Sequence, residues 1–249
     1  MSWGIAAYSL ACIFGAAIVR GYSGFGFSLL AITSLSLALP LASIIPSVFM
    51  MEVAASLSLM PSVWRDVHWK ALILLWLGCA LGTPLGVHFL AAVPAAPMQI
   101  ALGVAVLAAA ALLGSGYVRK SMPTGGETIL TGGIAGLLNG AFGIVAPPVV
   151  VFFFGSPAGA AISRASLIAF FIGTDGIGLA YLAREGLVTS DGLYFFLMLL
   201  PMLLAGQWLG ARSFRKSDPA KFRRWALMTL CALALLTGFQ GALALAGAS

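Results

Sequence analysis

Long apolar stretches follow one another along the whole 249-residue chain, separated by short polar or glycine-rich breaks. The stretches at 71–92, 98–114 and 225–246 each approach the roughly 20 residues that a helix needs to cross a bilayer. In total we count ten apolar segments, at residues 3–19, 27–39, 43–63, 70–92, 97–116, 128–139, 146–155, 163–182, 192–211 and 223–245. The second, sixth and seventh are short for a full crossing, and the alternation typical of a barrel strand is absent. The pattern predicts an all-α integral membrane protein.

Composition strengthens this interpretation. Hydrophobic residues make up 61% of the chain and charged residues only 8%, whereas soluble domains carry about 25% charged residues. The net charge is +6, but the basic residues cluster between apolar segments, which favours the positive-inside rule over nucleic-acid binding. The three cysteines, Cys12, Cys79 and Cys231, lie inside apolar stretches without a CxxC spacing. We therefore expect no disulfide, no metal site and no cofactor.

The two halves of the chain resemble each other. A shift of 119 residues places the segment Arg20–Gly24 on Asn139–Gly143, and a shift of 124 places Leu85-Gly86 on Leu209-Gly210. One five-residue insertion, between residues 184 and 194, reconciles the two shifts. Matches in a consistent order indicate an internal duplication. We predict a single membrane domain made of two repeats, 1–122 and 123–249.

Charge placement predicts how these two repeats are oriented. Each has five apolar segments, an odd number, so the second would be inverted in the membrane. With the N-terminus outside the cytoplasm, all basic residues except Arg184 fall on or toward one face, as the positive-inside rule requires. We therefore expect a multi-pass protein of the bacterial inner membrane with both termini non-cytoplasmic. If the short segments form re-entrant hairpins, three full crossings remain in each half.

Glycine-rich breaks interrupt both halves at matching places. One is Gly21–Gly26, and the other is Asn139–Gly143, which Pro147-Pro148 follows. Glycine admits positive φ angles and proline removes an N–H donor, so these segments disfavour a continuous helix. Such backbone is tolerated in a membrane only where protein or a water-filled cavity satisfies it. Matching breaks in inverted repeats point to a transporter's substrate site; the alternative is tight helix packing.

The residues at the two breaks are the predicted substrate-binding residues. They are Arg20, Gly21, Tyr22, Ser23, Gly24, Asn139, Gly140 and Gly143. The guanidinium of Arg20 could bind an anion through two parallel hydrogen bonds, with added N–H donors from the following half-helix. The alternative is an interfacial arginine that reaches toward lipid headgroups. Asn139, its counterpart, would supply neutral polar contacts.

Glu52 and Asp175 are the two acids deep in apolar segments. A charge at the bilayer centre costs roughly 2.5–3.5 kcal/mol on insertion scales, so something must compensate for it. Three interpretations stay open: proton-coupling carboxylates, structural partners of Arg20 or Arg164, and neutral hydrogen-bonded acids. Under the proposed repeat, Asp175 aligns with Ser56. Gln207 is a weaker polar candidate within an apolar segment.

A broken, glycine-rich first helix that recurs near mid-chain resembles the TauE/SafE sulfite exporter family, also called the 4-toluenesulfonate uptake permease family. That family often has three glycines after the break, where this chain has Gly24-Phe25-Gly26 and Gly143-Ile144-Val145. The resemblance implies a fold commonly counted as eight transmembrane helices. It also implies transport of small sulfur-containing anions such as sulfite, organosulfonates or sulfoacetate. The expected partners are this anionic substrate and the lipid bilayer, not nucleic acid, and a homodimer is left open.

Two other classes of function remain as alternatives. A transporter of other small organic anions, such as carboxylates, would show the same sequence features. An intramembrane serine protease is a remote alternative, because Gly21–Gly24 matches a Gly-x-Ser-Gly pattern. That chemistry needs a histidine within hydrogen-bond reach of the serine, and His68 and His88 are the two histidines of the chain. Metal transport is disfavoured because intramembrane ligands do not cluster.

Overall fold

Helices account for all the regular structure in the computed structural model, which describes residues 3–115, 121, 123–213 and 219–246. Ten α-helices and one short 3-10 helix, Trp64–Asp66, lie in these ranges. The α-helices are α1 Trp3–Ser23, α2 Phe27–Leu35, α3 Leu41–Val63, α4 Trp69–Ala92, α5 Ala95–Gly114, α6 Gly125–Phe142, α7 Ala146–Phe154, α8 Ala160–Arg184, α9 Ser190–Ser213 and α10 Pro219–Ala246. Each predicted apolar segment corresponds to one helix. The all-α prediction is confirmed.

Six of the helices, α1, α3, α4, α5, α8 and α9, are long and apolar enough to cross a membrane. By contrast, α2 and α7 have nine residues each, and at about 1.5 Å per residue they reach less than halfway across the hydrocarbon. The sixth segment forms a helix longer than its apolar stretch because a capping box starts it early. Thr124 Oγ1 accepts from the Glu127 amide at 3.3 Å, and the Thr124 amide donates to Glu127 at 2.8 Å. The count of eight transmembrane helices stays a prediction.

The two predicted breaks begin with the same backbone geometry, although Gly26 before α2 is left-handed and Val145 before α7 is not. Helix α1 ends just before Gly24, which has φ 81°, and α6 ends just before Gly143, which has φ 68°. The amide of each glycine donates to the carbonyl four residues earlier, that of Arg20 or Asn139, at 2.7 Å in both cases. A left-handed residue with a side chain would cost roughly 1–2 kcal/mol. Glycine at these positions lets the chain leave one helix and start the next within a few residues.

Helix bounds and helix contacts both follow the shift proposed from the sequence. The ends of α1 and α6, both ends of α2 and α7, and the starts of α3 and α8 each differ by 119 residues. Helix α1 packs on α9 as α6 packs on α4, whereas α3 contacts α8 and α5 contacts α10. A twofold axis relating residues 1–122 to 123–249 would generate this set of contacts. The duplication and its inversion remain our proposal.

Glycines bring α4 and α6 into backbone contact. A Cβ added at Gly78, Gly82 or Gly86 would overlap a carbonyl oxygen of α6, that of Gly133 in the case of Gly82. Three glycines of α6 approach α4 carbonyls in return, and these are Gly132, Gly136 and Gly140. Small residues spaced by four allow this closeness in membranes, where apolar burial does not drive helices together. The glycines of α4 therefore serve close helix packing.

The helix pair α1 and α9 uses the same device. A Cβ at Gly206 would lie 2.7 Å from the carbonyl oxygen of Phe14, and one at Gly210 would overlap that of Ile18. These two glycines of α9 therefore also serve close helix packing. The two glycine-lined pairs hold α1 and α6, the helices that end at the breaks, in fixed positions.

Alanine at Gly82 should separate α4 from α6 and destabilise the protein. Overpacking of this kind typically costs about 1–3 kcal/mol, so we expect Gly82→Ala to unfold at a lower temperature in detergent. Gly133→Ala is the matched control, because its Cβ would meet only the Gly78 carbonyl at 3.8 Å, an ordinary contact. The control should be neutral or stabilising, since alanine favours helix by about 1 kcal/mol over glycine. Equal unfolding temperatures for the two variants would contradict the packing role of Gly82.

Candidate functional site

A buried ion pair joins the first break to α3. The side chains of Arg20 and Glu52 are 0% and 1% exposed. Arg20 Nη1 donates to Glu52 Oε1, and Arg20 Nη2 donates to Ser56 Oγ at 2.6 Å. Arg20 lies one helical turn before the left-handed Gly24, and Glu52 lies one turn before Ser56. Three interpretations were left open for Glu52. The structure shows one of them directly, because Glu52 is the ion-pair partner of Arg20.

An equivalent contact joins the second break to α8. Asn139 Nδ2 donates to Asp175 Oδ1 at 3.1 Å and to the Thr174 carbonyl at 3.5 Å, and all three residues are buried. Arg20 and Ser56 are 36 residues apart, as are Asn139 and Asp175. These two hydrogen-bonded pairs occupy the positions that the proposed repeat aligns. The geometry is alike in both halves, but the chemistry differs.

The two contacts form one site because Arg20 also faces α8. Its guanidinium lies over the ring of Phe171, 5.3 Å from the ring centroid, a distance typical of cation–π interactions. Phe171 is one turn before Asp175 on α8, so the ring beneath the guanidinium lies on the helix face that carries this acid. The centre of the protein therefore holds one guanidinium, two carboxyl groups and one amide.

Several polar atoms at this centre have no hydrogen-bond partner among the described residues. They are Arg20 Nε, Glu52 Oε2, Asn139 Oδ1 and Asp175 Oδ2, and all are buried. Leaving a buried polar group unsatisfied costs about 1–3 kcal/mol. Native proteins retain such groups where they serve a purpose. Here the atoms offer both donors and acceptors to a small polar ligand.

The remaining predicted binding residues lie at the breaks, in varied surroundings. Gly21 and Gly140 face opposing backbone, because an added Cβ would overlap the carbonyl oxygens of Gln207 and Thr83. A packing role is thus evident for both, and direct ligand contact stays a prediction. Tyr22 is buried at the end of α1. Ser23 is the last residue of α1, and its side chain lies outside the described part of the structure.

Gly24 and Gly143, the left-handed glycines that directly follow α1 and α6, have different neighbours. A Cβ at Gly24 would lie 3.3 Å from Nε of Arg164, whose side chain is exposed. A Cβ at Gly143 would overlap Ile32 Cδ1 and come within 3.2 Å of a ring carbon of Phe49. The first break therefore has a basic neighbour, and the second has apolar ones.

Sequence reasoning did not select Ser56 or Thr83 as site residues and ranked Gln207 low. Thr83 is fully buried and Gln207 is 6% exposed, and each carries a side-chain oxygen without a partner among the described residues. The amide Nε2 of Gln207 donates to Ser58 Oγ at 3.2 Å. A signal was available in the repeat: the shift of 124 aligns Thr83 with Gln207, and the shift of 119 aligns Ser56 with Asp175.

The histidines lie in unlike settings. His68 Nδ1 accepts from the Ala71 amide at 3.2 Å and so caps α4, whereas His88 is exposed on α4. Among the described residues, no group of three or more histidine, cysteine or acidic side chains could hold a metal ion.

Comparisons with known proteins agree with this arrangement. A family model described as "Sulfite exporter TauE/SafE" matches residues 9–237. A protein of Cupriavidus necator (strain H16), described as "Probable sulfite/organosulfonate exporter TauE", is 27% identical over 219 residues. The matched region covers 85% of this chain and 84% of that protein. No solved structure matches.

The family match extends over both halves, including both breaks and all four central residues. It confirms the resemblance drawn from the glycine breaks. Members of this family are exporters and not enzymes, so the intramembrane protease is excluded. The protein is a multi-pass membrane transporter and belongs to the sulfite exporter TauE/SafE family.

Proposed function

We propose that the protein carries small sulfur-containing anions, such as sulfite, organosulfonates or sulfoacetate, across the bacterial inner membrane. The observation that carries this proposal is the fully buried Arg20 at the first helix break, with an Nε that lacks a partner among the described residues. A guanidinium presents a planar fork of donors that matches the oxygens of a sulfonate or sulfite. The printed name of the Cupriavidus necator relative, a probable sulfite/organosulfonate exporter, supports the same class of cargo.

Binding of an anion at Arg20 involves an exchange of partners. Glu52 already neutralises the guanidinium, and Ser56 takes a second donor. An incoming anion must share the cation with Glu52 or replace it. Removing one partner of a buried ion pair is costly, by about 3–5 kcal/mol. Replacement by another anion avoids that cost at Arg20, provided that the released Glu52 carboxylate is neutralised by a proton.

Charge balance in the site supports proton coupling. With both acids ionised, Arg20, Glu52 and Asp175 sum to one negative charge, which repels an anion. Protonation of Asp175 makes the site neutral, and protonation of Glu52 as well makes it positive. A low-dielectric interior magnifies such differences. The anion therefore binds most favourably together with one or two protons, which assigns Asp175 and Glu52 as the proton-coupling residues.

The architecture that serves this function is a pair of inverted repeats, 1–122 and 123–249, with both termini outside the cytoplasm. The matched helix bounds, the matched contacts of α1 with α9 and α6 with α4, and the paired polar contacts support it. Several basic residues that suggested this orientation, including Arg119, Lys120, Arg215 and Lys216, lie outside the described residues. Substrate sites between inverted repeats are typical of secondary transporters.

We expect the purified protein in proteoliposomes to transport sulfite or an organosulfonate in preference to other anions. The panel consists of sulfite, methanesulfonate, sulfoacetate, sulfate and small carboxylates, because a guanidinium also binds carboxylates. The measurement is the initial flux of each labelled anion, with empty liposomes as the control. Preferential carboxylate flux would favour a transporter of other organic anions instead. An absence of flux for every anion would contradict the proposed function.

Removing the cation should abolish transport even where the fold is restored. We expect Arg20→Gln and Glu52→Gln each to lower the unfolding temperature, because each breaks a buried ion pair worth about 3–5 kcal/mol when one partner is lost. The combined variant carries neither charge and should regain much of that stability. Its anion flux should still fall at least a hundredfold, on the order of the loss of a charge-assisted hydrogen-bonded pair.

Arg184→Gln is the matched control for these variants, because Arg184 is exposed at the far end of α8 beside Tyr181. That variant should keep its unfolding temperature and its flux. Wild-type flux in the combined Arg20 and Glu52 variant would remove Arg20 from the binding site.

Asp175→Asn should uncouple transport from the pH gradient. The asparagine keeps an oxygen that can accept from Asn139, but it cannot carry a proton across. If one proton moves with each anion, one pH unit supplies about 1.4 kcal/mol, enough for roughly tenfold accumulation of the anion. We expect this accumulation in the wild type and in Asp191→Asn, an exposed acid at the start of α9, but not in Asp175→Asn. A wild-type flux indifferent to an imposed gradient would argue against coupling.

A further inference from the structure

The structure points to one more residue of the anion site. We propose that Thr83 on α4 is a direct ligand, and that its hydroxyl donates a hydrogen bond to an oxygen of the transported anion. The inference rests on the proposed function and extends it to the second half of the site. Thr83 is fully buried, and its Oγ1 has no partner among the described residues.

Several other buried hydroxyls of this protein are satisfied within their own helix. Serine and threonine side chains in helices commonly donate to the carbonyl four residues earlier. Five of the buried ones here do so at 2.6–2.8 Å, and these are Ser9, Thr33, Ser34, Thr128 and Ser163. Thr83 is buried in a helix as they are and makes no such bond.

The glycine contact between α4 and α6 explains the difference. The carbonyl four residues before Thr83 is that of Cys79, and a Cβ at Gly136 would lie only 2.5 Å from its oxygen. The backbone of α6 therefore occupies the space beside this acceptor. The carbonyl of Thr83 itself meets Gly140 in the same way. Close helix packing thus leaves the hydroxyl without its usual partner.

Thr83 borders the half of the site that contains Asn139. Its carbonyl contacts Gly140, the residue after Asn139. One turn earlier on α4, Cys79 Sγ accepts from Thr174 Oγ1 at 3.9 Å, and Thr174 precedes Asp175. The hydroxyl is therefore carried by a helix that contacts both α6 and α8 beside the Asn139–Asp175 pair.

Thr83 carries the one hydroxyl in the second half of the site that lacks a partner among the described residues, and Asp175 can donate only when it is protonated. The amide group of Asn139 is already engaged, because its Nδ2 donates to Asp175 and to Thr174. The unpartnered atoms of that pair, Asn139 Oδ1 and Asp175 Oδ2, lie on acceptor groups. An oxyanion with several oxygens needs donors on more than one side. Arg20 supplies them in the first half, and the Thr83 hydroxyl supplies one in the second.

The equivalent position in the other half strengthens the inference. Gln207 aligns with Thr83, and its carbonyl meets Gly21 as that of Thr83 meets Gly140. Gln207 Oε1 also lacks a partner among the described residues. Both repeats thus present a buried side-chain oxygen where a glycine-packed helix passes a break. The oxygen of the Thr83 hydroxyl can also donate a hydrogen bond, whereas Gln207 Oε1 can only accept one.

Thr83→Val tests the proposal, because valine has nearly the same shape and no hydroxyl. In proteoliposomes we expect the KM for sulfite to rise about ten- to hundredfold, since hydrogen bonds to charged groups are among the stronger ones. Thr83→Ser keeps the hydroxyl and should restore the KM to within about threefold. Sulfite should raise the unfolding temperature of the wild type and of Thr83→Ser, and this shift should be lost in Thr83→Val.

Stability without sulfite separates this role from a structural one. Thr83→Val removes no hydrogen bond among the described residues, so its unfolding temperature should match or exceed that of the wild type. The control Thr128→Val loses the bond to the Thr124 carbonyl and should unfold at a lower temperature with an unchanged KM. A wild-type KM in Thr83→Val, or a loss of stability like that of Thr128→Val, would overturn the proposal. A wild type that carries no anion would instead remove the proposed function, and the role of Thr83 with it.

Discussion

Inside a bilayer every polar group must find its partner within the protein, because hydrocarbon offers none. Two features of this chain conflict with that constraint, namely helices that end at glycine breaks and a guanidinium that is fully buried. Each is resolved locally. The glycine after each broken helix donates back to the carbonyl four residues earlier, and Arg20 is held by Glu52 and Ser56. Buried polar atoms without a partner among the described residues remain on Arg20, Glu52, Asn139 and Asp175, beside the breaks and the ion pair.

Close backbone packing fixes the positions of the helices that surround this site. Glycines allow α4 to touch α6 and α9 to touch α1 without intervening side chains. The helices that end at the breaks are therefore fixed by carbonyl contacts, which tolerate little sliding. Cα–H groups of glycine lying on carbonyl oxygens add weak attraction of about 0.5–1 kcal/mol each. The same closeness crowds the usual acceptor of Thr83, whose buried hydroxyl has no partner among the described residues.

Much of the fold could be predicted from the sequence, because membrane helices are marked by apolar length and interrupted by glycine. All ten helices, both breaks and the packing glycines follow from these rules. The partner of Arg20 could not be predicted, since Glu52 and Asp175 were both within plausible reach and sequence gives no distance between helices. Gly21 and Gly140 were selected for binding, yet their spacing also fits helix packing, which the structure displays. Thr83 was not selected, because a threonine in an apolar helix usually bonds to its own backbone, and its alignment with Gln207 was the one signal available.

The difference between the halves matters more for function than their likeness. At aligned positions Arg20 donates to Ser56, and Asn139 donates to Asp175, so the cation and the second acid come from different repeats. In both halves, the residue one turn before the break donates to a residue 36 positions later. The charged residue of the pair is the donor in the first half, Arg20, and the acceptor in the second half, Asp175. This arrangement puts one fixed positive charge opposite one titratable negative charge across the proposed twofold axis. We propose that transport moves the repeats relative to each other, which would change the distance between these charges and so link anion and proton binding to that motion.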